Sequence, residues 1–150
     1  MAIVTNDEVR GTSTVRLPGT VQAFVNTMCE ASPMRTGIHA ATFVAGGFEG
    51  QESGMFPPGW RCGVVVEEFG DFENHATGGT AGWAWTSDGY LRHDRKRTKW
   101  AGMSNWVCGD RLGLQLNVEA GTLDALKNGQ PLGRLANLPI PSPGDSRGWK

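Results

Sequence analysis

Residues 106–133 read WVCGDRLGLQLNVEAGTLDALKNGQPLG, and this stretch decides the fold class of the 150-residue chain. Every second residue from position 112 is apolar, in the series Leu112, Leu114, Leu116 and Val118. A period of two is the pleat of a β-strand with one buried face. A second short strand follows at residues 122–127, and Asn128-Gly129 can supply the positive φ angles of a two-residue hairpin turn. The stretch predicts antiparallel β-structure.

Short alternating runs elsewhere predict further strands, separated by turn residues. These strands are expected at residues 20–27, 38–45, 60–66, 82–86 and 90–92, the last two flanking an Asp88-Gly89 turn. Apolar residues on both faces of 60–66 predict a strand buried on both sides, in the middle of its sheet. Three long loops are expected at residues 48–59, 67–81 and 92–105, and one short helical turn around 26–31. This spacing of strands is typical of a β-sandwich.

Composition narrows the function classes. The net charge of −1 argues against a general polyanion binder, so no nucleic-acid partner is expected. Cys29, Cys62 and Cys108 have no paired spacing, which favours a reducing compartment. We therefore expect an intracellular, cytoplasmic protein, and an organelle location after loss of a transit peptide stays open. No apolar run approaches the length of a membrane span, so no membrane insertion is expected.

The ordered motifs of the chain resemble the SPRY domain family. They are Gly109-Asp110-Arg111-Leu112-Gly113, Gly121-Thr122-Leu123, Asn128-Gly129 and Leu132-Gly133, preceded by SPMRTGIH at residues 32–39 and GWAWTSDGY at 82–90. The resemblance covers roughly residues 14–133. It implies an all-β, bent antiparallel two-sheet β-sandwich of SPRY type at residues 14–136. It also implies non-catalytic recognition of protein partners through loops gathered at one edge.

The two ends of the chain are expected to differ from this sandwich. Residues 1–13 are polar and predict a flexible arm or a docking tail. Residues 137–150 carry prolines at every second position from 139 to 143, which favours an extended path. The tail is expected to lie against another surface, either a partner chain or the flank of its own sandwich. A disordered end is the alternative.

Basic and aromatic residues of the long loops are the candidate partner contacts. The basic run at residues 92–99 could hold an acidic protein surface through Arg95, Lys96 and Arg97, or it could be a solvated loop. Apolar anchors are expected among Met55, Phe56, Phe69, Phe72, Trp100 and Trp106. For the two tryptophans the alternative is that they fold back onto the edge of the sandwich. Trp83 and Trp85 lie two apart on one strand and are expected in the core.

No pattern predicts catalysis, a metal or a cofactor. Glu67 and Glu68 are neighbours on a strand and point to opposite faces, so they do not form a glycosidase-like pair. The three histidines lie in separate segments without zinc-site spacing. The expected function is a protein–protein interaction module, an adaptor or small subunit of a larger assembly. The alternative is a lectin-like, carbohydrate-binding β-sandwich, although no acidic cluster resembles a calcium loop.

Overall fold

The computed structural model describes residues 3–7, 12–16, 34–45, 60–66, 79–140 and 148–149. Within these ranges the regular elements are all β-strands, and no helix is long and apolar enough to cross a membrane. The strands are β1 Ile3–Asp7, β2 Thr12–Arg16, β3 Ile38–Val44, β4 Arg61–Val65, β5 Gly82–Thr86, β6 Leu91–His93, β7 Lys96–Thr98, β8 Arg111–Asn117, β9 Thr122–Lys127 and β10 Gln130–Asn137.

The described strands form two antiparallel sheets of four strands and a separate hairpin. The first sheet has the order β10-β9-β8-β3, the second has the order β4-β5-β6-β7, and β1 pairs with β2. The prediction of an all-β, antiparallel, two-sheet protein is confirmed. The strand predicted at residues 20–27, the helical turn at 26–31 and most of the loops at 48–59 and 67–81 lie outside the described residues. The flexibility predicted for residues 1–13, which include β1, stays a prediction.

The first sheet is organised by the alternation along β8. Leu112, Leu114 and Leu116 are at most 5% exposed, and Val118 just beyond the strand is 2% exposed. The intervening residues face away from the core, as the pattern predicts. Asn128 and Gly129 have φ angles of 52° and 79°, which confirms the hairpin turn between β9 and β10.

The second sheet contains the predicted Asp88-Gly89 hairpin. Gly89 has a φ of 91°, and the Thr86 side chain accepts a hydrogen bond from Tyr90 N at 3.0 Å, which closes the turn. Val64 and Val65 on opposite faces of β4 are both buried, as predicted. The middle position predicted for β4 is not seen among the described strands, because β4 has β5 on one side and only a single bridge from Val66 to Trp149 on the other.

The prediction of a loop over residues 92–105 is wrong for residues 92–98. Residues 91–98 form a tight hairpin in which β6 pairs with β7. Asp94 and Arg95 have φ angles of 49° and 59°, the signature of a two-residue turn of type I′. The turn contains no glycine and its strands are three residues long and largely polar, so the sequence has no clear hairpin signal here.

The inner faces of the two sheets share one hydrophobic core. Trp83 and Trp85 are 7% and 0% exposed and belong to the same cluster as the β8 leucines, as predicted. Trp149, the penultimate residue, is also in this cluster, and its backbone exchanges hydrogen bonds of 2.8 and 2.9 Å with Met34. Trp149 therefore lies against the flank of its own sandwich. The extended course predicted for the whole tail stays a prediction.

The buried carboxylate of Asp110 lies at the end of the first sheet that contains the β9–β10 turn. We call its contacts the Asp110 clamp. Asp110 Oδ2 accepts a hydrogen bond from Val107 N at 2.8 Å and lies 3.1 Å from Lys127 Nζ. Asp110 Oδ1 accepts a hydrogen bond from Asn128 Nδ2 at 2.7 Å, and Asn128 Oδ1 accepts one from Arg111 N at 2.8 Å. The clamp therefore joins the β9–β10 turn to the start of β8.

Truncation of Leu114 tests the placement of the core. We expect Leu114→Ala to lower the free energy of unfolding by about 2–5 kcal/mol, the usual result of removing a buried leucine. Gln115→Ala is the matched control on the opposite, exposed face of the same strand, with an expected change within about 0.5 kcal/mol. Chemical denaturation measures both. Similar losses for the two variants would show that the inward face of β8 is misassigned.

The Asp110 clamp predicts an acid-dependent loss of stability. Burial alone would raise the pKa of Asp110, but the hydrogen bonds from Val107 and Asn128 and the Lys127 ammonium together lower it. A carboxylate with a lowered folded-state pKa stabilises the protein fully above its unfolded-state pKa of about 3.9. That contribution disappears as the pH falls through the folded-state pKa.

Asp110→Asn removes the ionisable carboxyl group. Comparing this variant with the unchanged protein at several pH values therefore isolates the contribution of the carboxylate charge to stability. At pH 7 we expect the variant to be less stable by about 1–3 kcal/mol, the cost of disrupting buried hydrogen bonds. The difference from the unchanged protein should shrink as the pH falls below about 4, because the wild-type carboxyl then becomes protonated as well. Denaturation curves at several pH values measure the difference. A difference that is constant from neutral to acid pH would contradict the proposed charge state.

Candidate functional site

The predicted partner contacts do not all lie at one end of the second sheet. Residues 46–59 end at Trp60, which precedes β4, and residues 67–78 begin after Val66, which follows β4. These two segments are therefore attached at opposite ends of a five-residue strand, roughly 17 Å apart for a rise of about 3.4 Å per residue. We call these the Trp60 end and the Val66 end.

The described candidates divide between these two ends. Trp100 and Trp106 lie towards the Trp60 end, where Trp106 N donates a hydrogen bond to Ser87 O at 3.1 Å. The Asp94-Arg95 turn lies at the Val66 end, where Asp94 N donates to Gly79 O at 3.0 Å. Four further candidates lie outside the described residues, namely Met55, Phe56, Phe69 and Phe72. The convergence of the three loops on one surface stays a prediction.

Both loop tryptophans pack back onto the sandwich. Trp106 is 4% exposed and belongs to the core cluster. Trp100 is half-buried, lies edge-on to Trp85 with ring centroids 6.1 Å apart, and donates a hydrogen bond from Nε1 to Gly89 O at 2.7 Å. Their positions match the alternative in which the two rings cover the sandwich edge. A hot-spot role for them stays a prediction, and this packing leaves Trp106 little surface to offer.

The strand register collects three arginines on the outer face of the second sheet. Trp83 and Trp85 point into the core, so Ala84 and Thr86, one position along the strand, point outward. Ala84 lies opposite Arg92, and Arg92 lies opposite Arg97, so both arginines share the outer face. Arg61 lies opposite Thr86 and belongs to the same face. We call Arg61, Arg92 and Arg97 the arginine face.

One member of the arginine face is held in a fixed orientation. Arg97 Nη2 lies 2.8 Å from Asp88 Oδ2, and the Arg97 guanidinium lies over the Tyr90 ring, 3.7 Å from its centroid. Asp88 is held in turn by a 2.5 Å hydrogen bond that Thr86 Oγ1 donates to its Oδ1. Stacking on an aromatic ring orients a guanidinium plane and leaves several of its N–H donors directed sideways. The arrangement presents a pre-positioned donor on the sheet surface.

The electrostatics of the arginine face are positive. Burial and the like charge of Arg92 lower the pKa of Arg61, whereas Asp88 raises it. Arginine nevertheless stays protonated in proteins, so the three guanidinium groups keep their charge, and Asp88 is a carboxylate among the described residues that offsets part of it. A negatively charged group brought to this face would offset the repulsion between Arg61 and Arg92. The face is therefore suited to an anionic ligand.

Two of the three predicted basic contacts lie away from this face. Lys96 lies opposite His93, whose ring stacks on Trp83 on the inner side, so Lys96 points to the other side of the sheet. The Lys96 side chain is 77% exposed and lies 3.2 Å from Asp94 Oδ2. Arg95 is exposed in the turn. Sequence reasoning found Arg97 but did not place Arg61 and Arg92 on the same face, because only the pairing of β4 with β5, β5 with β6 and β6 with β7 shows this.

Two described residues that could carry chemistry, His93 and Cys62, lie within the second sheet. His93 donates a hydrogen bond from Nδ1 to Gly82 O at 2.9 Å while its ring stacks on Trp83. Burial raises the pKa of Cys62 to about 12, so this thiol is protonated and a poor nucleophile at neutral pH. Among the described residues, no three His, Cys, Asp or Glu side chains form a group that could hold a metal ion.

Comparisons with known proteins do not assign this chain to a family. The sequence matches none of the models of known protein families. A search of curated proteins gives no match either. The resemblance to the SPRY family therefore rests on the motifs in the sequence.

Proposed function

We propose that this protein is a non-catalytic protein-recognition module of SPRY type, and that its arginine face binds an acidic segment of a partner. The observation that carries the proposal is the placement of Arg61, Arg92 and Arg97 on one outer face by three different strands. The module acts as an adaptor or small subunit within an intracellular assembly. Recognition, and not chemistry, is its task.

An acidic protein segment fits this face better than nucleic acid does. Guanidinium groups bind carboxylates through paired N–H donors, which gives geometric selectivity as well as charge attraction. Nucleic-acid binders usually carry a basic charge over the whole domain, whereas this chain has a net charge of −1. A local basic face on a slightly acidic protein favours a partner whose negative charge is also local.

The rigidity of the face supports recognition. The three arginines project from hydrogen-bonded strands, and Arg97 is already stacked on Tyr90. A side chain that is ordered before binding loses less conformational entropy when a partner arrives. Carbohydrate binding, the alternative suggested by the sandwich architecture, has no observation in its favour among the described residues.

Charge-neutral variants of the arginine face test the proposal. The double variant Arg92→Gln/Arg97→Gln should bind a fluorescent hexaglutamate peptide at least tenfold more weakly than the unchanged protein, a difference of about 1.4 kcal/mol. Binding by the unchanged protein should also weaken as salt is added, because Arg97 is exposed and Arg92 is partly exposed. Fluorescence anisotropy measures the affinity, and thermal unfolding verifies that the variants are folded.

Arg134→Gln is the matched control for charge. Arg134 is an exposed arginine of the first sheet, and its Nε donates to Asp124 Oδ1 at 2.6 Å. Its replacement removes one positive charge far from the arginine face and should leave the affinity unchanged. Equal weakening by Arg134→Gln, or equal binding of hexalysine and hexaglutamate by the unchanged protein, would show that the face does not recognise acidic segments.

A further inference from the structure

One edge of the first sheet, strand β3, has no partner strand among the residues that the structure describes, and we call it the free edge. β3 (Ile38–Val44) pairs with β8 on one side, and no described strand pairs with its other side. Ile38 and Val44, at the two ends of β3, are 61% and 66% exposed, and the residues between them are exposed or half-buried. An edge strand presents unpaired N–H and C=O groups to any other strand that approaches it.

The other edges of the two four-stranded sheets carry features that discourage such pairing. β7 is three residues long and contains Lys96 and Arg97. β10 contains Pro131 and two register shifts. β4 is followed at Val66 by the bridge to Trp149. β3 has seven residues, no proline, no lysine, arginine or carboxylate, and an unbroken register with β8. Such a strand is expected to be an interface.

The backbone pattern shows which groups of β3 point outward. Gly37 O accepts a hydrogen bond from Val118 N at 3.0 Å, and Ala45 N donates one to Asp110 O at 2.9 Å. Hydrogen-bonded and non-hydrogen-bonded pairs alternate along an antiparallel ladder. The odd-numbered residues from 37 to 45 therefore direct their N–H and C=O groups towards β8. The even-numbered residues direct theirs to the open side, and these are Ile38, Ala40, Thr42 and Val44.

We infer that β3 pairs antiparallel with β3 of a second copy of this chain, with Ala41 on the two-fold axis. In this register Ile38 lies opposite Val44 of the other copy, and Ala40 lies opposite Thr42. Each such pair exchanges two hydrogen bonds, and the symmetry gives four pairs, so the outward groups of all four residues are satisfied. A shift of the register by two residues leaves the groups at one end of each strand unpaired.

In this register the side chains of β3 also lie opposite compatible side chains of the second copy. The two exposed large apolar side chains of β3, Ile38 and Val44, become direct cross-strand neighbours on the outer face. On the other face His39 lies opposite Phe43. No charged side chain lies opposite another, so nothing in β3 opposes the contact. A surface that is complementary to itself about a two-fold axis forms a closed dimer, which selects a second copy as the occupant.

Matched isoleucine variants test the dimer in solution. Light scattering coupled to size exclusion should give about twice the chain mass of 16.1 kDa for the unchanged protein. Ile38→Lys should shift it to the monomer mass, because two symmetric lysines would face the apolar end of the other strand. Ile140→Lys is the control, since Ile140 is also 61% exposed but lies outside β3, and it should stay dimeric. A monomeric unchanged protein, or an equal response of the two variants, would overturn the inference.

A cysteine at the axis tests the register itself. Ala41 would face its own copy as a non-hydrogen-bonded pair with Cα atoms about 4.5 Å apart, within the range of about 4.4–6.8 Å that a disulfide spans. Ala41→Cys should therefore form a covalent dimer under mild oxidation, with the new bond located by mass spectrometry. Gln115→Cys, on the exposed face of β8 beside β3, should not. Cross-linking of Ala41→Cys no faster than that of Gln115→Cys would overturn the proposed pairing.

Discussion

The contacts of the Asp110 carboxylate are the polar constraint that connects the first sheet to the segment following the second. The carboxylate joins the β9–β10 turn, through Asn128 and Lys127, to the first residues of β8. It also accepts a hydrogen bond from Val107 N. Val107 follows Trp106, whose backbone N–H donates to Ser87 O just beyond β5 of the second sheet. A buried carboxylate is stable only when its lone pairs are occupied, so each of these donors is needed. The two carboxylate oxygens of Asp110 therefore connect the β9–β10 turn to the start of β8, and they connect both to the segment that follows the second sheet.

The alternation of the strands then leaves two separate surfaces for partners. Since the inner faces are filled by the core, the proposed contacts with partners can use only outer faces and edges. The arginine face belongs to the second sheet, whereas the free edge of β3 belongs to the first. Self-association through β3 therefore does not use the arginines proposed for partner binding. A dimer would carry two arginine faces, and two sites on one assembly bind a repeated partner more tightly than one site does.

The sequence predicts the parts of this structure whose signals are local. The period of two along β8, the Asn128-Gly129 turn and the Asp88-Gly89 turn are each encoded within a few residues, and each is confirmed. The β6–β7 hairpin was missed because its Asp94-Arg95 turn has no glycine and its strands are short and polar. The arginine face was only partly predicted, because Arg61 and Arg92 share a face through their separate pairings with β5, which no local pattern reveals. The burial of Trp106 likewise depends on packing between distant segments.

A double-mutant cycle between Asp110 and Asn128 tests the role of the clamp most directly. Asp110→Ala removes both acceptor oxygens, and Asn128→Gly removes the amide while keeping a residue that tolerates the turn's positive φ of 52°. The free energies of unfolding of the single and double variants give the coupling between the two side chains. If the clamp joins the turn to β8, the double variant should lose less stability than the sum of the single variants, with a coupling of about 1–3 kcal/mol. Losses that add to within about 0.5 kcal/mol would contradict that role.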